Sequence, residues 1–334
     1  MKLGLGIGPL GPPGSMRIVE LAQEAERLGY DTIWCPEIYG ADCFTPLAWI
    51  GAHTSTINLG TSIMQISART PTSAAMHAMT LDYLSNGRLI LGIGVSGPQV
   101  VEGWYGQPYP RPLARTREWV QIFRQVNERK EPVAFQGEHY QLPYPGGTGL
   151  GKPLKSILHP ARERIPLYLG AEGPKNVKLA AEVCDGWIPM FLSPYRMMDV
   201  YAEAMAVRPA GFEIAAAVPV ILDDDVDRAL MQVKQQVGFY VGGMGAKSFN
   251  VHKDHVSRFG FAEAADRIQE LFLSGKRDQA IAAVPDRLAD EIALVGPKER
   301  IRDRLAAWLE SPVTMLTVGS ADADTLRFLA EELL

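Results

Sequence analysis

Residues 57–94 read INLGTSIMQISARTPTSAAMHAMTLDYLSNGRLILGIG. Two apolar runs, beginning at Ile57 and Arg88, enclose a segment that opens with Thr70-Pro71. Parallel strands that are buried on both faces are apolar throughout, and proline is favoured at the first position of a helix. The stretch therefore predicts a β-strand, an α-helix and a second β-strand that form one repeating unit.

The same unit recurs along the first part of the chain. Apolar runs begin near Lys2, Asp31, Ile57 and Arg88, at spacings of 29, 26 and 31 residues. Each spacing accommodates one strand and one helix. The second half of the chain is less regular, but it contains four more apolar runs that we predict to be strands. They are residues 165–172, 186–191, 212–222 and 314–319.

Eight strands with helices between them predict an α/β fold, a closed (β/α)8 TIM barrel, with an open doubly wound sheet as the alternative. Two long intervals interrupt the rhythm. Residues 97–164 are predicted to hold a helix and a hairpin, and residues 242–312 to be mostly helical. Neither interval has the composition of a linker, so we interpret both as insertions, after strand 4 and before strand 8, of one domain that spans residues 1–334.

Helix starts follow a common pattern. Ser15 is predicted to cap the first helix, which Gly29 ends. Later helices are predicted to begin where a small or hydroxyl residue precedes proline. These pairs are Thr45-Pro46, Thr70-Pro71, Gly173-Pro174, Ser193-Pro194 and Gly296-Pro297.

Composition narrows the class of protein. Hydrophobic residues make up 47% of the chain, enough for a large core, and the net charge of −5 without a basic run argues against a nucleic-acid partner. No apolar stretch is long enough to span a membrane, and no segment resembles a signal peptide. The three cysteines lack metal-type spacing. We therefore expect a soluble cytoplasmic protein.

One region is basic. Residues 111–164 contain ten Lys/Arg and five Glu, a net charge of +5. The region is either an ordinary solvated surface or an electropositive rim that attracts an anionic cofactor or substrate.

Several chemistries are disfavoured by the motifs. The chain matches G-x-G-x-x-G at residues 6–11 and 92–97, but the first match contains Pro9 and the second leads into Pro98. We therefore interpret neither as a dinucleotide-binding fingerprint. His252 and His255 have no evident third ligand, so no metal site is predicted. The nucleophile elbow of serine hydrolases is also missing.

Two predicted strands lead into glycine-rich loops that suggest phosphate binding. The fourth strand is followed by VSGPQVVEGWYG, and the fifth ends in LGAEGPKN. Each places Gly-Pro where a strand passes into a helix, at the face of a barrel where active sites are built. Free backbone N–H groups at such a helix start bind phosphate well, although an ordinary helix start would look the same.

Polar residues mark the neighbouring strands. The third strand carries Thr61, Ser62, Gln65 and Ser67 among its apolar residues. Glu37, at the end of the second strand, is a carboxylate expected beside the same pocket, with helix capping or a surface position as the alternative.

These segments together resemble the luciferase-like flavin and deazaflavin family, and most closely its F420-dependent oxidoreductases. The resemblance covers nearly the whole chain and is clearest in residues 1–195. It is carried by residues 59–106 (LGTSIMQISARTPTSAAMHAMTLDYLSNGRLILGIGVSGPQVVEGWYG), by RPLARTREWV, by LGAEGPKNVKLAAEVCDGW, and by the Glu37 segment with TPLAWIGAHT.

The resemblance implies a cofactor ring across the carboxyl-terminal mouth of the barrel. A bulge in strand 3 with a non-proline cis peptide, here Ser62-Ile63 between Thr61 and Gln65, would support the ring. The phosphate-bearing tail would lie against the two loops, and Glu37 would be a catalytic residue near the ring. The loop residues are Ser96, Gly97, Pro98 and Gln99, with Gly170, Ala171, Glu172, Gly173 and Pro174. Relatives often have histidine after this acid, whereas this chain has Ile38, which argues against sugar-phosphate dehydrogenase activity.

The function implied is hydride transfer between coenzyme F420 and a small organic substrate, in a homodimer. An FMN-dependent monooxygenase and a non-catalytic flavin or deazaflavin carrier are the alternatives. Lys152 and Lys155 of the basic region are predicted to meet the acidic tail of F420.

Overall fold

The computed structural model describes residues 1–8, 10–11, 17–319 and 322–334. Eight parallel strands form the centre of the protein. They are β1 (Lys2–Gly6), β2 (Thr32–Cys35), β3 (Asn58–Thr61), β4 (Leu89–Gly94), β5 (Leu167–Gly170), β6 (Gly186–Ile188), β7 (Glu213–Val218) and β8 (Met315–Val318). Consecutive strands are neighbours, β1 pairs with β8, and β3 pairs with β4, so the sheet closes on itself. The predicted TIM barrel is confirmed and the open sheet is wrong.

Large side chains fill the barrel, and glycines make room for them. Trp34 on β2 is buried inside with Tyr168 and Met315. A Cβ atom on Gly60 would overlap the ring of Trp34, which explains why that strand position lacks a side chain. Gly92 and Gly94 likewise lie within β4 rather than in a phosphate-binding turn, as we predicted for the second G-x-G-x-x-G match.

Fourteen helices lie outside or above the barrel in the described residues. They are α1 (Ile18–Arg27), α2 (Phe44–Gly51), α3 (Pro71–Leu84), α4 (Pro98–Val101), α5 (Pro112–Glu128), α6 (Pro174–Val183), α7 (Met197–Met205), α8 (Val226–Gly243), α9 (Val251–Val256), α10 (Ala262–Leu273), α11 (Arg277–Ala282), α12 (Asp286–Glu291), α13 (Lys298–Glu310) and α14 (Ala323–Leu333). A short π-helical segment, Ser257–Phe261, joins α9 to α10. None of the described helices is long and apolar enough to span a membrane.

The predicted helix starts are only partly correct. Pro71 and Pro174 are the first residues of α3 and α6, as predicted. Helix α2 instead begins at Phe44, because the Asp42 carboxylate accepts hydrogen bonds from the N–H groups of Phe44 and Thr45. The remaining two pairs also precede their helices rather than starting them, since α7 begins at Met197 and α13 at Lys298. The predicted cap Ser15 lies outside the described residues.

The predicted strand 212–222 is in fact two strands. It breaks at Pro219, which has no N–H group to continue the ladder. Residues Val220–Leu222 pair instead with Leu294–Gly296, a short strand that the sequence did not indicate. The helical interval also begins earlier than predicted, at Val226, and its helices pack around a core of their own.

The interval between β4 and β5 runs from one end of the barrel to the other. Helix α5 carries the chain back toward the end where strands begin, and a hairpin pairs Phe135–Gln136 with Gln141–Leu142. Lys155 donates a hydrogen bond to the Lys130 carbonyl, just beyond the end of α5. Arg162 binds Asp82 and the Leu89 carbonyl, at the start of β4. The prediction that Lys152 and Lys155 meet the cofactor is therefore wrong, because this segment lies at the opposite end from the barrel mouth.

Candidate active site

The third strand contains the predicted bulge. It stops at Thr61, and residues Met64–Gln65 resume pairing against Ile93 and Gly94 of β4. The peptide bond between Ser62 and Ile63 is cis. The Ser62 N–H donates a hydrogen bond of 2.8 Å to the Cys35 carbonyl, which ties the bulge to the end of β2.

Three chain segments meet around Ile63. A Cβ atom on Gly94 would lie 2.6 Å from Ile63 Cδ1, and one on Gly170 would lie 2.9 Å from Ile63 Cγ2. The Ile63 side chain therefore packs against the backbone at the ends of β4 and β5. The bulge and the two glycine-rich loops are at the same rim of the barrel, where the sequence placed them.

Glu37 is buried at this rim in an ion pair. Its carboxylate lies 2.8 Å from Arg69 Nη1 and accepts a 2.9 Å hydrogen bond from the Gln65 N–H. The Arg69 guanidinium in turn lies over the Phe44 ring. Glu37 therefore holds the residue after the bulge in place, which is a positioning role. Whether it also takes part in catalysis stays a prediction.

The polar residues beside the bulge differ in whether their side chains already have hydrogen-bond partners. The Thr61 hydroxyl is fully buried and donates a 2.6 Å hydrogen bond to the Gly92 carbonyl, so it is used within the barrel. Gln65 is also buried, but its side-chain Oε1 has no partner among the described residues. A buried amide without a partner costs free energy, and a ligand would satisfy it. Of these two side chains, Gln65 is therefore the one that can still form a hydrogen bond with a ligand.

The loop after β4 makes a sharp turn. Ser96 has a positive φ of 56°, and Gly97 precedes the single turn of α4, which begins at Pro98. Gln99 is exposed, and its side chain turns back toward Gly97. The four predicted residues of this loop are thus together at the mouth.

The loop after β5 leads into the ten-residue helix α6. The carbonyls of Ala171 and Glu172 accept hydrogen bonds from Trp187 and Tyr201, which fix the loop. In contrast, the N–H groups of Gly173 and Lys175 have no hydrogen-bond partner in the described chain. Free N–H groups at the start of a helix, together with the helix dipole, favour an anion such as phosphate.

The Glu172 side chain is held in an ion pair, and its predicted contact with the cofactor stays a prediction. Its buried carboxylate lies 2.7 Å from Nδ1 of His252, in the first turn of α9. Burial alone would raise the pKa of Glu172, but the charge of His252 outweighs burial and holds the pKa below its usual value. Burial likewise would lower the pKa of His252, and Glu172 raises it instead. The pair therefore joins the β5 loop to the helical interval, while the second carboxylate oxygen of Glu172, Oε2, is buried without a partner among the described residues.

Aromatic contacts connect the loops above the mouth. Tyr39, after β2, lies 6.4 Å from Trp104 in the loop after β4, measured between ring centroids. Tyr109, in the same loop, lies 6.0 Å from Phe249 in the helical interval. The interval between β4 and β5 and the helical interval before β8 thus meet over the strand ends.

A cavity of about 230 Å³ opens at the ends of β1 and β2. It is lined by Gly8, Leu10, Cys35, Pro36, Ile38, Tyr39, Gly40 and Ala41. Because the Cys35 carbonyl accepts the Ser62 N–H, the cavity is next to the cis peptide. Burial and the nearby Asp42 and Glu37 carboxylates raise the pKa of Cys35 to about 12, so its thiol stays neutral.

The part of the chain that the structure describes contains no candidate metal-binding site. No group of three or more His, Cys, Asp or Glu side chains there could hold a metal ion. Fully buried His255 bonds instead to the Tyr201 hydroxyl and the Phe191 carbonyl.

Known proteins resemble this chain in sequence and in fold. The sequence profile of the luciferase-like monooxygenases matches residues 6–315. The chain belongs to this family. A relative from Mycobacterium tuberculosis, named "Putative coenzyme F420-dependent oxidoreductase", is 49% identical over 99% of this chain and 98% of its own. The 5,10-methylenetetrahydromethanopterin reductase of Archaeoglobus fulgidus is 28% identical over 96% of this chain and 93% of its own.

A solved structure of the family has the same fold. The coenzyme F420-dependent tetrahydromethanopterin reductase from Methanopyrus kandleri superposes with a TM-score of 0.80 over 99% of this chain and 97% of that one, at 24% identity. At that identity the likeness establishes the barrel and its insertions, and the chemistry has to be argued from the site.

Sequence reasoning missed three residues of this site. Arg69, the partner of Glu37, is within the quoted family stretch but had no signal of its own. His252 was considered only as a metal ligand, and its partner is 80 positions away. Asn176 is in the first turn of α6, and its side-chain Oδ1 is buried without a partner among the described residues. Its position just after Gly173-Pro174 could have identified it as a polar residue at the start of the helix.

Proposed function

We propose that this protein is an oxidoreductase that transfers a hydride between coenzyme F420 and a small organic substrate. The observation that carries the proposal is the meeting of Ile63 with Gly94 and Gly170 at one rim of the barrel. The 49% identical relative with an F420-dependent name supports the choice of cofactor. The deazaflavin, when bound, supplies a two-electron hydride carrier that reacts little with oxygen.

The residues at the rim fit such a cofactor. Ile63 offers an apolar support for a flat ring, and the unpartnered Oε1 of Gln65 can accept a hydrogen bond from a ring N–H. The start of α6 offers the Gly173 and Lys175 N–H groups to a phosphate. Asn176 could contribute as well, because its amide can be turned so that NH2 faces the anion. We infer that Ser96, Gly97, Pro98 and Gln99 border the same tail.

The chain's own contribution to the reaction is binding, orientation and exclusion of water. Glu37 and Arg69 hold the bulge through Gln65, so Ile63 presents a fixed surface. The aromatic contacts above the mouth limit the access of solvent to the reacting atoms. Glu37 remains the candidate catalytic residue, and its pairing with Arg69 favours the positioning role.

Titration of the purified protein with F420 and FMN tests the proposal. We expect F420 to quench the fluorescence of the six tryptophans saturably and at lower concentration than FMN. Tighter binding of FMN would favour the alternative of an FMN-dependent monooxygenase. Bound reduced F420 that no acceptor oxidises would favour a carrier.

A single substitution can separate binding from folding at the phosphate site. Asp is a good N-cap residue, so Gly173→Asp should leave the melting temperature unchanged or raise it. The added negative charge should nevertheless weaken F420 binding at least tenfold, because it repels the phosphate. Leu150→Asp, at the exposed far end of the protein, is the matched control and should bind as the wild type does. Unchanged F420 affinity in Gly173→Asp would remove the start of α6 from the site.

We also propose a homodimer, formed through the outward faces of α2 and α3. Trp49, Met76, Tyr83 and Leu84 on these helices are between 58% and 68% exposed, which is unusual for such large apolar side chains. Sedimentation should give twice the 36.6 kDa of one chain. Met76→Glu with Tyr83→Glu should give a folded monomer, whereas Leu273→Glu on α10 should not. A wild-type monomer would contradict the proposal.

The compartment is inferred from the cysteines. Cys35, Cys43 and Cys184 are all buried and free. We propose a reducing cytoplasm as the location, which cell fractionation can check.

A further inference from the structure

We propose that the substrate is an uncharged, mainly apolar molecule that binds in the cavity between the ends of β1 and β2. This inference rests on the proposed hydride transfer, because it names the class of molecule that meets the ring at Ser62-Ile63. It is argued from the charges around the cavity and from the shape of its lining.

The loop after β1 contributes no charge. Residues 3–16 read LGLGIGPLGPPGSM and contain no acidic, basic or histidine side chain. Of these residues, Gly8 and Leu10 line the cavity. These two residues offer no ionic group to a substrate, and Arg17, which follows the stretch at the start of α1, pairs with Glu20.

The loop after β2 has two charges, and both are already used. Glu37 is paired with Arg69. Asp42 accepts hydrogen bonds of 2.9 and 2.8 Å from the N–H groups of Phe44 and Thr45 at the start of α2. Burial would raise the pKa of Asp42, but these bonds and Arg69 lower it, so it stays ionised in its capping role.

The neighbouring loops are also neutral toward the cavity. Arg69, from the loop after β3, forms an ion pair with Glu37 and lies over the Phe44 ring. In the loop after β4, Glu102 is exposed and Arg111 pairs with Glu138 of the hairpin. Across the mouth, His252 is balanced by Glu172. An ionised group on a substrate would therefore lose part of its hydration without gaining an opposite charge as partner, which disfavours its binding.

The lining itself favours apolar contact. Ile38, Tyr39 and Leu10 are 38%, 50% and 45% exposed, so their apolar surfaces are open to a ligand. Tyr39 is steadied by Trp104, which gives the cavity a planar wall. Ile38, the residue after Glu37, thus adds apolar surface directly beside the bulge.

Matched ligands that differ only in charge test this inference. Cyclohexanol, cyclohexanecarboxylate and cyclohexylammonium share one ring and differ in charge. The carbinol carbon of the alcohol also bears the hydrogen that would be transferred as a hydride. Binding to the whole protein can be followed by ligand-observed NMR at neutral pH, with and without F420. We expect the alcohol to bind at least tenfold more tightly than either ion, and 1-indanol to bind more tightly still.

A charge introduced at the cavity should reverse the preference. Ile38→Arg should raise the affinity for cyclohexanecarboxylate at least tenfold, whereas Leu150→Arg at the far end of the protein should change nothing. Equal or tighter binding of an ion by the wild type, or no saturable binding of either alcohol, overturns the inference. The cavity is formed by protein residues alone, so this result is independent of whether F420 binds, and the two proposals can fail separately.

Discussion

Gly92→Ala is expected to destabilise the protein by about 3 kcal/mol or more, or to prevent folding altogether. A Cβ atom at residue 92 would overlap the Thr61 carbonyl oxygen and lie 2.6 Å from Ile188 Cδ1. The overlap with Thr61 involves backbone, which cannot rotate away as a side chain can. Denaturant unfolding of the purified variant measures the loss.

The same change should abolish F420 binding in any folded variant. The Thr61 carbonyl belongs to the peptide that leads into Ser62-Ile63, and the Thr61 hydroxyl is bonded to the Gly92 carbonyl. A shift of β3 by the width of a methyl group would therefore move the bulge away from Gly94 and Gly170.

Two further variants make this prediction specific. Gly319→Ala should be nearly neutral, because a Cβ atom there meets nothing within 4 Å. Gly92→Ala combined with Ile188→Ala relieves the side-chain contact but not the backbone overlap, so it should stay destabilised. If the double variant regained the full stability of the wild type, the contact with Ile188, and not the overlap with the Thr61 backbone, would explain why residue 92 is glycine.

The barrel could be predicted from the sequence because its strands are buried on both faces. Each strand is an apolar run, and the closed ring was predicted from the presence of eight such runs, the first four of them at nearly regular spacing. Where a strand changes partners this signal fails. Residues 212–222 were predicted as one strand, and only Pro219 shows that its last part leaves the barrel to pair with Leu294–Gly296.

The candidate site was predictable only where its residues are neighbours in the chain. The bulge and the two loops are local features, and the family resemblance was enough to assign residues to each of them. Pairings across the fold have no such signal: Arg69 with Glu37 and His252 with Glu172 depend on how loops meet at the mouth. The net charge of residues 111–164 was the least informative feature for locating the cofactor site. Lys152 and Lys155 made the region look suited to an anionic tail, but the α5 helix carries that region to the far end of the barrel.

Glu37→Gln should destabilise the protein by about 3 kcal/mol and weaken F420 binding at least tenfold. The Glu37 and Arg69 side chains are 4% and 14% exposed, so the substitution leaves a buried guanidinium without its counter-charge. Glutamine can still accept the Gln65 N–H, which means that the loss comes from Arg69 and not from the bulge hydrogen bond. Unfolding experiments and F420 titration measure the two effects.

Removing both charges distinguishes a positioning role from a catalytic one. In Glu37→Gln combined with Arg69→Met, no charge is stranded, and methionine keeps the contact with the Phe44 ring. We expect this double variant to recover stability to within about 1 kcal/mol of the wild type, as buried pairs replaced together often do. F420 affinity should return with it, because no unpaired Arg69 charge then disturbs the loop that follows the bulge. A double variant that is stable and binds F420, but no longer oxidises reduced F420 with acceptors that the wild type uses, would instead assign the Glu37 carboxylate to the chemistry.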